Sequence, residues 1–371
     1  MLSPNAGTLA IPETGPRGYR LNKEFATALG SSLPGGGPLP RVQTWNSSGF
    51  TFLPYKKETS MPEISETVFV SRPHLPGCRS EVWVTSPSDK SQKLIFTTDE
   101  MLLEAPNWTR DGTALILNGA GAMWRLDLCS GSIEELSTAG IPQANNDHVL
   151  DPTQDRIYLS ANDGHIHRVG LDGRDPARIT SEDGHFHFLH GVSPDGQELA
   201  YVAIEDCDFS TPGQIRTMSA NGGPSVLIEV GQGHCDGPEY SPDGRWIYLN
   251  TETFSTKPGH AQIARIRGDG TCLERLTQSD TVDWFPHLSP DGQRANYLRY
   301  PPGTTGHPAD VGVEIVTVSV RDWNTPLHSI DLLGGQGSLN VNSWSPDSSH
   351  FAYVAYSPSG RHTPSSAGNR P

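Results

Sequence analysis

A short turn recurs along the chain and limits what it can build. It appears as NWTRDG ending at Gly112, LDPTQ at 150–154, VSPDG at 192–196, YSPDG at 240–244, LSPDG at 288–292 and WSPDS at 344–348. Aligned on Asp111, Thr153, Asp195, Asp243, Asp291 and Asp347, the turns are spaced 42, 42, 48, 48 and 56 residues apart. Each is followed by a β-rich run: ALILNG, RIYLSA, ELAYVAI, WIYLNT, RANYLRY and HFAYVAY. Pro presets φ while Asp and Gly accept a tight reversal, so Pro-Asp-Gly between two such runs marks a hairpin. Most repeats add a third strand and a fourth that ends near a Leu/Ile-Thr/Ser pair, as in IEELST, ARITSE and ERLTQS. Four strands at this period read as one propeller blade, which must stack on its neighbours to bury both faces.

The expected fold is therefore all-β, a six-bladed β-propeller. The last repeat stops after two strands, at Tyr356, and SEVWVTS (80–86) with KLIFTT (93–98) supply the missing pair. Strands from the two ends of the repeat region thus close the ring and remove an exposed edge. A further run, ETVFVSR (66–72), leaves a seven-bladed ring as the alternative. Residues 1–60, with SSLPGGGPLP, read as an irregular or partly disordered leader, 61–357 as the propeller, and 358–371 as a disordered tail.

A formal charge of −15 without a Lys/Arg cluster argues against nucleic acid as a partner. No run of eighteen apolar residues occurs, so no membrane-spanning helix is expected. The first thirty residues have neither a basic start nor a continuous apolar stretch, and the reading favours a cytoplasmic protein. The five cysteines form no CxxC pair, and no nucleotide-cofactor motif stands out.

The repeats resemble the WD40-like (PD40) repeats of TolB-type proteins, and the likeness exceeds the bare turn. EAPNW (104–108), NNDH (145–148), DGPEYSPDG (236–244), DWFPHLSPDG (283–292), PPGTTGHPAD (301–310) and GGQGSLNVNSWSPDS (334–348) carry it over roughly residues 80–357. The resemblance implies a fold and a binding scaffold rather than a reaction.

In such a ring the innermost strands line the channel, and residues just before each turn share a depth. Three before the turn position the residue is apolar (Trp108, Leu150, Val192, Tyr240, Leu288, Trp344), as befits packing between blades. Four to seven before it stand polar groups: Glu104, Asn107, Asn146, Asp147, His148, His190, Asp236, Glu239, His287, Asn340 and Asn342. The longer repeats place their extra residues between strands two and three, at 205–213, 251–261 and 299–310, which would wall in that mouth. The expected site is a His/Asp/Glu/Asn pocket that binds a polar, carbohydrate-like or uronic-acid ligand.

Two readings of that pocket follow. Oligogalacturonate lyases are propellers that hold a metal with histidines and use a His base. By that analogy the pocket is a metal-assisted lyase acting on an oligosaccharide or uronide. His148, His190 and His287 then serve as catalytic groups, and with Asp236 and Glu239 as ligands of a divalent Mn, Ca or Zn ion. Glu104, Asn107, Asn146, Asn342 and His307 hold the substrate. The alternative is a non-catalytic protein- or glycan-binding propeller. The tract GHFHFLH (184–190) puts His185 and His187 on one side of a strand.

Overall fold

The computed structural model describes residues 71–205 and 210–359, together with backbone strands at 41–46, 49–52 and 67–69. Five four-stranded antiparallel sheets and one closing sheet make six blades. Blade 1 holds Glu104–Trp108, Ala114–Gly119, Ala122–Asp127 and Ile133–Leu136 from channel to rim. Blade 2 holds Ala144–Leu150, Arg156–Ala161, Ile166–Gly170 and Ala177–Arg178. Blade 3 holds His185–Val192, Glu198–Glu205, Gln214–Ser219 and Ser225–Leu227. Blade 4 holds Cys235–Tyr240, Ile247–Thr251, Gln262–Ile266 and Glu274–Arg275. Blade 5 holds Val282–Leu288, Arg294–Tyr300 and the long pair Ala309–Ser319 and Asp322–Gly335.

Blade 6 is shared between distant parts of the chain. Phe351–Pro358 pairs with Cys78–Thr85 in continuous register, from Phe351↔Thr85 to Pro358↔Cys78, and Gln92–Thr98 adds the outer strand. Its inner edge is the irregular stretch 338–344, tied on by Ala352 N–H to the Ser343 carbonyl and Val354 N–H to the Ser338 carbonyl. The packing confirms a ring of six. Each apolar cluster joins two adjacent blades: Ile116 and Met123 with Ile157 and Leu159, Tyr158 and Ile166 with Leu189 and Tyr201, Val202 and Ile215 with Ile247 and Leu249. The series continues with Tyr248 and Ile263 against Ala295 and Tyr297, Trp284 and Ile315 against Phe351 and Tyr353, and Val82 and Val354 against Leu115 and Leu117. A blade is apolar on both faces, so stability comes from stacking.

Among the described residues no seventh blade is formed. Thr67–Phe69 pairs in parallel with Arg41–Asn46, which also pairs with Gly49–Phe52, in a small separate sheet. Arg41–Asn46 and Gly49–Phe52 fall inside the segment read as a leader, and the first strand of the ring, Cys78–Thr85, covers the expected SEVWVTS run. The expectations for residues 1–40 and 360–371 lie outside the described residues.

The recurring turn locks itself. Ser193, Ser241, Ser289 and Ser345 each donate a hydroxyl to the Asp two residues on, at 2.6 Å. The next residue takes a left-handed φ: +71° at Gly196, +69° at Gly244, +66° at Gly292 and +63° at Ser348. Blade 2 lacks Asp-Gly and uses another device. There Asp151 Oδ1 accepts the N–H groups of Thr153 and Gln154, and its other oxygen pairs with Arg156 at 2.7 Å.

Candidate functional site

Each complete inner strand carries a register shift: Glu104/Asn107, Ala144/His148, Leu189/Gly191, Asp236/Glu239 and Trp284/His287. A bulge re-aims side chains. Here it separates the polar residues of each strand into two sets. In blades 1, 4 and 5 the bulge contains a left-handed residue, Ala105 (φ 53°), Gly237 (φ 60°) and Phe285 (φ 57°). For a bulky residue such as Phe285 this backbone is strained, and strain of that kind gathers at binding sites. The Phe285 ring stacks on His190 at 5.5 Å and meets His307 edge-on at 5.1 Å.

One set, standing six or seven residues before the turn except for His190 at five, faces a cavity at the channel mouth. Glu104, Asn146, Asp147, His190, Asp236, His307 and Asn340 line it together with Arg72, Asn118, Asn162, His234 and Phe285. The cavity has a volume of about 90 Å³, room for several waters or one small headgroup. The other set turns into the seams between blades. His148 Nε2 lies 3.4 Å from the Ile116 carbonyl, and Asn107 bridges the Asn342 carbonyl and the Leu150 N–H. Glu239 accepts from His287 Nδ1 at 2.6 Å, Leu288 N–H at 2.9 Å and Asn342 Nδ2 at 2.7 Å. His287 Nε2 meets the Leu339 carbonyl at 3.0 Å.

The sequence expectation is thus divided. Glu104, Asn146, His190, Asp236 and His307 come together, whereas Asn107, His148, Glu239, His287 and Asn342 hold blades to one another. The five groups expected to share a cation do not face one point. Among the described residues no three His, Cys, Asp or Glu side chains stand as a formed metal shell. Sequence reasoning missed Arg72, Asn118, His234 and Phe285. Nothing near Arg72 in the chain marks it, because its partner carbonyl at Gln336 is 264 residues away.

Charge in the cavity is organised around two buried arms. In one, Glu104 accepts from Arg72 at 3.2 Å and from Asn118 at 3.2 Å, and burial still pushes its pKa up. In the other, Asp236 faces His190 Nε2 at 3.1 Å, His234 Nε2 at 3.3 Å and His307 Nε2 at 3.7 Å. Burial would raise Asp236, but its hydrogen bonds from His190 and His234 hold it well below the usual carboxylate range. For His190, burial pulls down while Asp147 and Asp236 outweigh it and hold the imidazolium up to about 9. Burial, with Asp236 nearby, lifts Asp147 to about 6. Burial drives His148 down to about 4, and burial with the nearby His234 and His190 does the same to His307.

These shifts give opposite pH limbs. His190 has its folded pKa above the unfolded value, so its contribution is complete below about pH 6.5 and disappears as pH rises through about 9. His148 and His307 have theirs depressed, so stability is lost as pH falls from about 6.5 towards 4. Asp147, raised to about 6, offsets only one of those two histidines. Thermal stability is expected to peak near pH 6.5 and fall on both sides, by ~3 kcal/mol on the alkaline side. Melting curves from pH 5 to 9 check this, and an alkaline limb that His190→Gln leaves unaltered contradicts the assignment.

No family model matches the sequence. A curated relative, the uncharacterized protein Atu1656 of Agrobacterium fabrum, is 36% identical over 287 residues, 76% of this chain and 93% of the relative. The solved structure of a putative TolB from Agrobacterium tumefaciens superposes with a TM-score of 0.69 at 35% identity, covering 76% of this chain and 99% of that one. This chain belongs to that TolB-like family. A more distant TolB, from Acinetobacter baumannii, shares the fold at 16% identity and TM-score 0.52, over 70% of this chain and 64% of that one. Membership corrects the cytoplasmic expectation: TolB is a periplasmic protein, and likeness to the putative TolB argues against a cytoplasmic location. Among the described residues no helix is long and apolar enough to cross a membrane.

Proposed function

We propose that this TolB-like propeller is a non-catalytic binding protein whose channel mouth takes the hydroxyl-bearing end of a neutral glycan. The observation that carries this reading is the bonding of His190. Its Nε2 faces the Asp236 carboxylate at 3.1 Å and its Nδ1 faces the Asn340 carbonyl at 3.3 Å. Both partners only accept, so both nitrogens donate, and no lone pair is left for a metal or for taking a substrate proton. A histidine held in this way supports binding better than lyase chemistry.

Among its charged groups the cavity has more acceptors than donors. Three carboxylates (Glu104, Asp147, Asp236) face two cations, Arg72 and His190. The buried amide oxygens of Asn118 and Asn162 have no hydrogen-bond partner among the described residues. An acceptor surplus suits hydroxyl donors and opposes the carboxylate of a uronide. Phe188 and Phe285, also on the lining, offer apolar faces to the C–H side of a sugar ring.

Calorimetric titration with neutral sugars, amino sugars and uronides, with and without chelator, tests this. A neutral sugar is expected to bind best with no product formed, and Asn118→Ala to weaken it by roughly tenfold, one hydrogen bond's worth. Turnover of an oligouronide, or a preference for uronides, sinks the proposal in favour of a metal-assisted lyase. Binding only to a polypeptide would place the function with a protein partner.

A further inference from the structure

A five-residue pattern occurs twice outside the channel: Asp163-Gly164-His165-Ile166-His167 and Asp183-Gly184-His185-Phe186-His187. Both copies fold alike. In each, the aspartate Oδ1 accepts the N–H two residues on, at 3.1 Å, which turns the carboxylate back towards the imidazole four residues on. Asp163 reaches His167 Nε2 at 2.9 Å, and Asp183 lies 3.2 Å from His187 Nε2. The second copy docks on the first: the His165 and His187 rings stack at 5.7 Å, and His187 Nδ1 donates to the Gly164 carbonyl at 2.8 Å.

That docking makes the two copies chemically unequal. A neutral His167 can give its single ring proton to Asp163. A neutral His187 has already given its proton to Gly164, so its Nε2 lone pair faces a carboxylate that also only accepts. A second proton or a metal cation has to lie between them. The spacing fits a cation: two ligand atoms each about 2.1 Å from one metal, at roughly 100°, stand about 3.2 Å apart. The Asp183–His187 contact matches at 3.2 Å, and Asp183 Oδ1 to His185 Nδ1 matches at 3.3 Å. His187 is buried, while the Asp183 and His185 side chains are 33% and 19% exposed, so a cation has a way in from solvent.

We propose that Asp183, His185 and His187 bind one divalent transition-metal ion of the zinc class at the seam of blades 2 and 3, with water completing the shell. The site is half-built, since among the described residues no three such groups already close on one point. Asp183 and His187 are preset. His185, whose Nδ1 now also meets the Asp183 carbonyl at 3.0 Å, joins by moving its ring proton to the other nitrogen. A cation here would fix the entry to blade 3, whose His187 already docks on Gly164 of blade 2, and is independent of the channel-mouth reading.

The test is calorimetric titration of the chelator-treated full chain with Zn²⁺, paired with thermal shift. One ion per chain and a raised melting temperature are expected. Asp183→Asn and His185→Gln, both partly exposed, should each weaken uptake at least about tenfold, whereas His167→Gln in the twin copy leaves it unchanged. Absence of stoichiometric uptake, or uptake indifferent to Asp183→Asn, overturns the proposal. So does nitrogen-15 NMR of the zinc-saturated protein that still shows both His187 ring nitrogens protonated.

Discussion

Replacing His190 with alanine is expected to lower folding stability by about 3–5 kcal/mol, the usual cost of removing one partner from a buried ion pair. The reason is what remains. Asp236 and Asp147 are both buried, and without His190 they face each other across the channel mouth with the main counter-charge removed. His234 and His307 stay near Asp236, yet burial keeps His307 neutral, so it cannot take over the role. Urea denaturation of the single variant and of the double variant with Asp236→Asn measures the effect. The double variant should recover a large part of the loss, because it removes the stranded carboxylate along with its partner. Ligand affinity should disappear in both. A loss below about 1 kcal/mol would show that His190 is not the counter-ion of this site.

Glu239→Ala is expected to cost a similar 3–5 kcal/mol and to leave ligand affinity intact. The carboxylate is buried and serves three donors, on His287, Leu288 and Asn342, which belong to blades 5 and 6 while Glu239 belongs to blade 4. Deleting it strands the Leu288 N–H and the His287 Nδ1 in a seam that water does not reach, and leaves Asn342 Nδ2 with the Leu288 carbonyl alone. Glu239→Gln keeps an oxygen for Leu288 and should lose roughly half as much. Chemical denaturation with a ligand titration on the same samples separates the two carboxylates. If Glu239→Ala abolished binding at unchanged stability, the residue would belong to the cavity, and the division made by the bulges would be wrong.

That division explains how much of the site was legible. Counting back from each turn found Glu104, Asn146, His190 and Asp236, since strands that enter a ring alike bring equal positions to equal depth. The same count also collected Asn107, His148, Glu239, His287 and Asn342, which lie only two to three residues away along the strand. A bulge in each complete inner strand sends the first four of these to the seam instead, and Asn342 reaches it from the irregular inner edge of blade 6. No residue type marks that bulge: Ala105, Gly237 and Phe285 occupy its left-handed position in three blades. His307 was found through its long loop, whereas Arg72 and His234 lie outside the counted window.

The repeat by itself determined the four-stranded blade and the stacking of such blades into a ring. Those depend on local turn chemistry and on the alternation of apolar residues, both written within a few residues of one another. Six blades instead of seven, the separation of cavity from seam, and the protonation of His190 were decided only by the tertiary structure. Closure depends on how six interblade cores fit around an axis. The charge on an imidazole depends on which acceptors, from residues as far off as Asn340, the closed ring sets against its two nitrogens.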